Sequence, residues 1–407
     1  MSSLSLRKIF ASPALQFPDF RFLWLSSVFN SIGFIGEQVI VGWIILEMTD
    51  SSFMVGSALA LRMVPFLLLG LISGSIADRV DRRKLLITVS LGMSILSLFL
   101  SLVIVIDILT VWLVFLVTFM SGCVRAMGQP ARQSFAYDIV GSQNLVNAIS
   151  YLSLAMRLGG IVGSLLAGIL VAKLGADVAY AVLAVSYLGS ALTLSFIGIL
   201  EKSKSVVGVS LLDSLKEAGR EIKRNNTLLV ILILSATVEI LGFSHQSLLP
   251  AISRDILNLG AEGLGLLNAL RSVGGIIIVL ILSSLGDIRH KGILYLAGLF
   301  IFGVSLILLG FAGSFLFVIV AIIIISGMGA LSDILSQTLV QTVVPDKFRG
   351  RAMGGWIVAV GLGPAGHLEI GALASVLGIG FALTAHGGAL ILLAIGTFLL
   401  FPRVKSL

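Results

Sequence analysis

Several acidic residues lie inside long apolar stretches of the sequence, among them Glu37, Glu239 and Asp333. A carboxylate is costly to place in a nonpolar medium, and there it binds a proton more readily than in water. Acids in such positions can carry protons across an apolar region, and all three are proton-coupling candidates. For Glu37 the competing interpretation is a structural pair with Arg62 or Arg125.

Polar side chains accompany these acids and could contact a small-molecule cargo. Asp333, Gln337 and Gln341 are spaced by four residues, which places them on one face of a helix. Amide, cationic and imidazole side chains in the other apolar stretches are candidates for the same reason. The predicted substrate-cavity residues are Gln38, Arg125, His245, Gln337 and Gln341.

The sequence lacks the groups of residues that other kinds of chemistry require. The four histidines are scattered and Cys123 is the only cysteine, so we expect no metal site, no disulfide within the chain and no cofactor. No convergent set of catalytic groups is visible, which argues against an enzyme. Very short loops on one side argue against a channel, and the lack of a soluble domain argues against a receptor.

The composition predicts a protein that is embedded in a membrane. Of the 407 residues, 57% are hydrophobic and only 12% are charged. Apolar runs of about 18 residues or more are typical of membrane-spanning helices. The sequence predicts twelve spans, at about 20–47, 53–77, 84–106, 109–133, 145–172, 176–199, 227–252, 262–285, 292–312, 314–340, 348–374 and 377–401.

The distribution of basic residues predicts the orientation of these spans. Of the 27 lysines and arginines, 21 fall in segments that would share a side with the N-terminus, whereas the opposite loops contain only Lys173 and Arg254. Positive residues accumulate on the cytoplasmic side, so we expect both termini there, in a multi-pass protein of the cell inner (plasma) membrane. The net charge of +7 reflects this bias and does not indicate nucleic-acid binding.

Internal repetition predicts two related halves. At an offset of 209 residues, Gly56 and Arg62 coincide with Gly265 and Arg271. We therefore expect an N-terminal bundle of six helices over 1–200 and a second over 227–407, as in transporters built from parallel repeats. The stretch 201–226 between them predicts a cytoplasmic linker with a short amphipathic helix.

One charged turn carries a recognisable signature. The segment GSIADRVDRRK, from Gly74 to Lys84, resembles the loop between spans 2 and 3 of the Major Facilitator Superfamily, although Asp81 replaces the usual glycine. The segments Gly42–Leu86 and Gly128–Gly160 are similar to the macrolide- and siderophore-exporter branch of that superfamily. The resemblance implies an all-α fold of twelve transmembrane helices in two pseudo-symmetric bundles. Because span 1 lines the cavity in that fold, Glu37 becomes the leading proton-coupling acid.

The charged turn also predicts a cytoplasmic gate. In the family, Asp78 faces the start of span 11, here near Phe348, and Arg82 can pair with Asp138. Pairs that form only when the halves approach would bias opening and closing. The competing interpretation is a solvated anchor for the membrane. The predicted gate residues are Gly74, Asp78, Arg79, Arg82, Arg83 and Asp138.

Together these features predict a secondary active transporter that works by rocker-switch alternating access. The resemblance implies proton-coupled efflux of a small amphipathic organic compound, such as a drug, a siderophore or a lipid-like metabolite, by a protein that functions as a monomer. Span 5 contains Gly159 and Gly163 but lacks the Gly-Pro of the antiporter motif. The alternative is therefore a facilitative carrier of a small metabolite that is uncoupled or differently coupled.

Overall fold

The chain is almost entirely helical. The computed structural model describes residues 13–198, 225–285, 289–345 and 348–407, except for the side chains of 70–79, 285, 350 and 351. About 90% is helix, and the described ranges contain no strand. The predicted amphipathic helix of the linker lies outside the described residues.

Eleven stretches of helix in the described ranges are long and apolar enough to cross a membrane. The exact count of twelve spans stays a prediction, because one of these stretches is 64 residues long. The helices are α1 Pro18–Thr49, α2 Ser52–Arg79, α3 Arg82–Val105, α4 Val111–Leu174, α5 Ala176–Ser195, α6 Asn226–Leu241, α7 Gly260–Leu285, α8 Lys291–Gly310, α9 Phe315–Thr342, α10 Arg349–Val360, α11 Gly363–Leu377, α12 Ile379–Leu400 and α13 Pro402–Lys405.

The loop that we expected between spans 4 and 5 is instead part of helix α4. Residues 134–144 continue the helix, and the only non-helical backbone within it is at Gly141, with φ 72° and ψ 174°. That conformation is readily adopted only by glycine. The expected boundary between the two spans is therefore a kink at one residue and not a loop over 134–144, because polarity alone does not end a helix.

Two predicted spans are broken by irregular backbone. After α6 ends at Leu241, the chain forms a 3₁₀ helix over Phe243–Leu248, three residues of α-helix and a π-helix over Ile252–Ile256. The predicted span 348–374 is divided into α10 and α11 at Gly361 and Leu362. Pro250 and Pro364 lie close to these breaks, where the missing backbone N–H favours an interruption.

The chain forms two compact units. The first contains the chain up to Ile40 and from Leu68 to the end of α5, and the second contains Val41–Leu67 together with the chain from α6 onwards. In the first unit, α3 packs against α4 and α5; in the second, α8 packs against α9 and α12, and α7 against α9. The division into 1–200, 201–226 and 227–407 stays a prediction.

The turn between α1 and α2 belongs to the second unit. Arg254 forms an ion pair with Asp50 in this turn, donates to the carbonyl of Leu46 at 3.4 Å, and pairs with Asp255 at 2.6 Å. On α2, a Cβ atom added to Gly56 would collide with the carbonyl oxygen of His367. Ion pairing and close helix packing thus connect this hairpin to the C-terminal helices.

Within the first unit, two glycines bring α4 into backbone contact with α1. A Cβ atom on Gly159 would lie 2.6 Å from Cβ of Ser31, and one on Gly163 would collide with the carbonyl oxygen of Ile32. Small residues at this spacing allow close approach of membrane helices. The contact fixes the helix that carries Glu37.

We expect Gly163→Val to destabilise the first unit, because the new side chain must displace the α1 backbone at a cost of about 1–3 kcal/mol. The measurement is the Tm of the purified protein in detergent. Gly396→Val is the matched control, because a Cβ atom there meets no atom within 4 Å. Equal Tm values for the two variants would contradict the packing described here.

Candidate functional site

Glu37 is buried in the first unit and is held by α5. Its side chain is 3% exposed, and the Tyr187 hydroxyl donates to its Oε2 atom at 3.4 Å. Gly33 makes this contact possible, because a Cβ atom there would lie 2.5 Å from Cζ of the tyrosine. The carboxylate is therefore placed by packing between α1 and α5. Gln38, the next residue, is half-buried on α1.

Arg125 lies beside the same helix. Its Cζ atom stands 3.0 Å from the ring centroid of Phe34, in a cation–π contact. Phe34 precedes Glu37 by three residues, so the two side chains share one face of α1. The structure thus brings Arg125 close to the part of α1 that carries the leading acid.

Arg132, at the end of predicted span 4, lies on α4 and extends this polar face. Arg125, Gln129 and Arg132 follow each other at helical spacing; the two arginines are half-buried and Gln129 is exposed. The Nη1 atom of Arg132 donates to Ser27 Oγ at 2.7 Å and to Ser26 Oγ at 3.4 Å. The spacing of these three residues was the available signal, and it was missed because Arg132 was counted among the basic residues on the side of the N-terminus.

A small cavity opens between α1, α3 and α4. Its volume is about 20 Å³, measured as the space open to the centre of a water molecule. Such a space holds roughly one or two water-sized groups. It is lined by Asn30, Val89, Met93, Arg125, Gly128, Gln129 and Arg132.

The two acids of the second half lie near each other. Glu239 on α6 is 9% exposed and interacts electrostatically with Asp333 on α9. The Tyr295 hydroxyl on α8 lies beside Ser235 and within electrostatic range of both acids. A Cβ atom on Gly363, the first residue of α11, would lie 3.5 Å from Glu239 Oε2. The carboxylate therefore lies close to the N-terminus of α11, where negative charge is favoured.

The predicted cargo residues of α9 lie on one half-buried face. Gln337 and Gln341 follow Asp333 along this helix, as the spacing predicted. The Nε atom of Arg349 donates to the backbone carbonyl of Gln341 at 3.2 Å. Both glutamines thus share an element and a face with the acid.

Three buried histidines from different helices converge on the broken segment after α6. Nδ1 of His245 contacts the Gly242 carbonyl at 2.6 Å, and Nδ1 of His386 contacts the Leu241 carbonyl at 3.1 Å. Nδ1 of His367 contacts Ser247 Oγ at 2.7 Å. Sequence reasoning missed this cluster, because His386 looked isolated and no spacing links α11 and α12. Within the described ranges, no three histidine, cysteine or acidic residues are placed to hold a metal ion.

Three of the predicted gate residues, Arg82, Arg83 and Asp138, make side-chain contacts in the first unit. Arg82 Nη1 pairs with Asp138 Oδ2 at 2.5 Å, which confirms the expected contact. Arg83 donates to the Leu194 carbonyl at 3.1 Å, at the end of α5. Asp81, where the family signature has glycine, caps α3 by accepting from the Lys84 backbone N–H at 3.2 Å. For the other three predicted gate residues, Gly74, Asp78 and Arg79, the structure describes the backbone alone.

A comparison of the sequence with protein families identifies the family of this chain. The model of the transmembrane secretion effector family, a branch of the Major Facilitator Superfamily, matches residues 11–407. The chain belongs to this family. Its members are membrane transporters and not enzymes, which agrees with the sequence interpretation.

Transporters of small molecules are among the proteins that are similar to this chain. It is 24% identical to the Staphyloferrin A transporter of Staphylococcus aureus over 88% of this chain and 90% of the relative. It is 23% identical to Macrolide efflux protein A of Streptococcus pyogenes, over 92% and 94%. It is 24% identical to Enterobactin exporter EntS of Escherichia coli, over 95% and 92%.

Solved structures share the fold of the family. A bacterial homolog of the human lysosomal transporter Spinster superimposes with a TM-score of 0.75 at 15% identity, over 95% of this chain and 98% of that one. A peptide transporter in complex with alafosfalin gives a TM-score of 0.78 at 13% identity, over 99% of both chains. At such low identity the similarity shows the fold alone.

We expect His245→Leu to lower the Tm of the purified transporter. The substitution leaves the Gly242 carbonyl without its donor, and an unsatisfied buried acceptor costs about 1–3 kcal/mol. The control is His290→Leu, which removes an exposed imidazole at the start of α8. If both variants melt at the temperature of the parent protein, the histidine does not stabilise the broken segment.

Proposed function

We propose that this protein is a secondary active transporter that exports a small amphipathic organic compound in exchange for protons. The cargo class is that of drugs, siderophores and lipid-like metabolites, and transport proceeds by rocker-switch alternating access. The observation that carries the proposal is the buried Glu37, placed between α1 and α5 near Arg125, in a chain whose family consists of membrane transporters.

The direction and the cargo class are supported by the relatives. The names of all three describe movement of a small organic molecule, and two of them describe export. Each aligns with most of this chain, so the similarity covers both halves. Efflux is therefore the activity to be tested first, in a multi-pass protein of the plasma membrane with both termini in the cytoplasm. We propose that one chain is the functional unit.

The surroundings of Glu37 support the proposal of proton coupling. The phenol of Tyr187 provides a long hydrogen bond, and the neighbouring side chains on α1 are mostly apolar. Ionised Glu37 would be attracted by the guanidinium of Arg125, whereas protonated Glu37 would not. A change in protonation can therefore change how α1 packs against α4. Glu239 and Asp333 provide a second acidic pair that could take the same role.

The Arg82–Asp138 pair is proposed to stabilise one state of the gate. Its two side chains are 18% and 13% exposed, so solvent screens the pair only in part. Oδ1 of Asp138 is buried and has no hydrogen-bond partner in the described part of the chain. That atom is positioned to gain a partner when the gate rearranges.

A facilitative carrier remains the second candidate, because span 5 lacks the Gly-Pro of the antiporter motif.

We expect Glu37→Gln to abolish uphill efflux driven by a pH gradient, by at least about tenfold, because glutamine cannot exchange a proton. Exchange of cargo between equal pools should be retained. The assay uses proteoliposomes and a radiolabelled macrolide or siderophore chosen by thermal-shift screening. Glu47→Gln, an exposed position on the same helix, is the control. Full gradient-driven efflux by Glu37→Gln would transfer the role to Glu239 or Asp333.

We expect Asp138→Asn to slow cargo turnover several-fold while leaving cargo affinity unchanged, because the substitution weakens a contact of the gate and not of the cargo. Turnover is measured in the same proteoliposomes, and affinity by equilibrium binding in detergent. Asp107→Asn is the matched control, because Asp107 is exposed and its backbone φ of 57° suits asparagine. A loss of affinity with normal turnover would exclude the gate.

A further inference from the structure

The cavity in the first unit is lined by hydrogen-bond donors, of which two are positively charged and two are neutral. Two guanidinium groups, from Arg125 and Arg132, and two amides, from Asn30 and Gln129, line it. The described lining residues include no aspartate or glutamate. Two like charges around one cavity repel each other, and in a membrane span this repulsion is screened poorly by water. The charge of the cavity therefore matches an anionic group.

The orientation of Arg132 leaves donors for such a group. A guanidinium carries five N–H donors. Both recorded hydrogen bonds of Arg132, to Ser27 and Ser26, start from Nη1. Its Nε and Nη2 atoms donate no hydrogen bond to any other residue that the structure describes. These two nitrogens present the parallel donors that bind a carboxylate in bidentate geometry.

The position of Arg132 is fixed by a network of buried serines. Oγ of Ser26 lies 2.8 Å from Oγ of Ser190, which lies 3.1 Å from Oγ of Ser90. These serines are completely buried and come from three helices, α1, α3 and α5. On the other side of the cavity, stacking on Phe34 fixes the plane of Arg125. The donors are therefore preorganised, which lowers the entropic cost of binding.

The size of the cavity limits what it can hold. About 20 Å³ accommodates one or two water-sized groups, which corresponds to the two oxygens of a carboxylate and is too small for a whole cargo molecule. Met93 and Val89 add apolar surface beside the donors. A carboxylate attached to an apolar body fits this combination.

We propose that the cavity between α1, α3 and α4 binds the carboxylate of an acidic cargo, so that amphipathic organic acids belong to the compounds that this protein transports. The inference rests on the proposed export function and specifies the chemical class of its cargo. Arg132 and Arg125 bind the carboxylate, and Asn30 and Gln129 contribute amide donors. The apolar body of the cargo extends away from these groups.

The test compares 2-naphthoate with 2-naphthamide, which have the same ring system and nearly the same shape but differ in charge. Binding of each to the purified full-length protein is measured by isothermal titration calorimetry, without a membrane or a gradient. We expect naphthoate to bind at least about tenfold more tightly, as a charge-assisted bidentate pair predicts. Arg132→Gln should abolish this preference, and Arg132→Lys, which keeps the charge but not the fork, should retain part of it.

Arg157→Gln is the matched control, because it removes a half-buried arginine from the same helix but outside the cavity. It should leave the preference for naphthoate unchanged. Equal binding of the two compounds, no binding of either, or a preference that survives Arg132→Gln would each overturn the proposal. Since binding is measured without transport, a failure here is distinct from a failure of the efflux assay, in which the neutral amide could still be exported.

Discussion

A polar group inside a membrane protein must find its partner within the protein, and this constraint accounts for the arrangement of the described residues. Water is absent from the hydrocarbon region, so each buried donor or acceptor that lacks a partner costs free energy. In the first unit, serines accept from Arg132 and a tyrosine donates to Glu37. In the second, histidine side chains contact the carbonyls that the end of α6 leaves open. The same contacts fix the groups that could bind cargo or protons.

The irregular backbone follows from this constraint as well. A broken helix is tolerated at membrane depth only where other groups satisfy its polar atoms. The break after α6 is accompanied by three buried histidines and by Ser244 and Ser247, whose hydroxyl groups contact the histidine rings. Breaks of this kind place backbone and side-chain polar groups near the middle of a span, where transporters of the parallel-repeat type bind their cargo.

Local features were predictable from the sequence, and contacts across helices mostly were not. Hydropathy predicted nearly all the helices, and Gly159 and Gly163 have the spacing that permits the close packing observed. The charged turn identified the superfamily and the Arg82–Asp138 pair. The interruption at Gly141 falls within the stretch that was expected to separate two spans, but the helix on either side of this one residue was not predicted, because the stretch is polar. The cavity at Arg132 and the histidine cluster depend on side chains from separate helices, and one sequence contains no information on which faces meet.

Alternating access linked to protons is the central claim, and it is tested most directly by distances between spin labels. In a Cys123→Ser background, one pair is placed at Asp107→Cys and Gly313→Cys, at the turns after α3 and α8, and the other at Val80→Cys and Arg289→Cys, at the turns before them. Double electron–electron resonance is recorded in nanodiscs at alkaline and acidic pH. The account predicts that one distance increases while the other decreases. Distances that stay constant, or that change in the same direction, would contradict it.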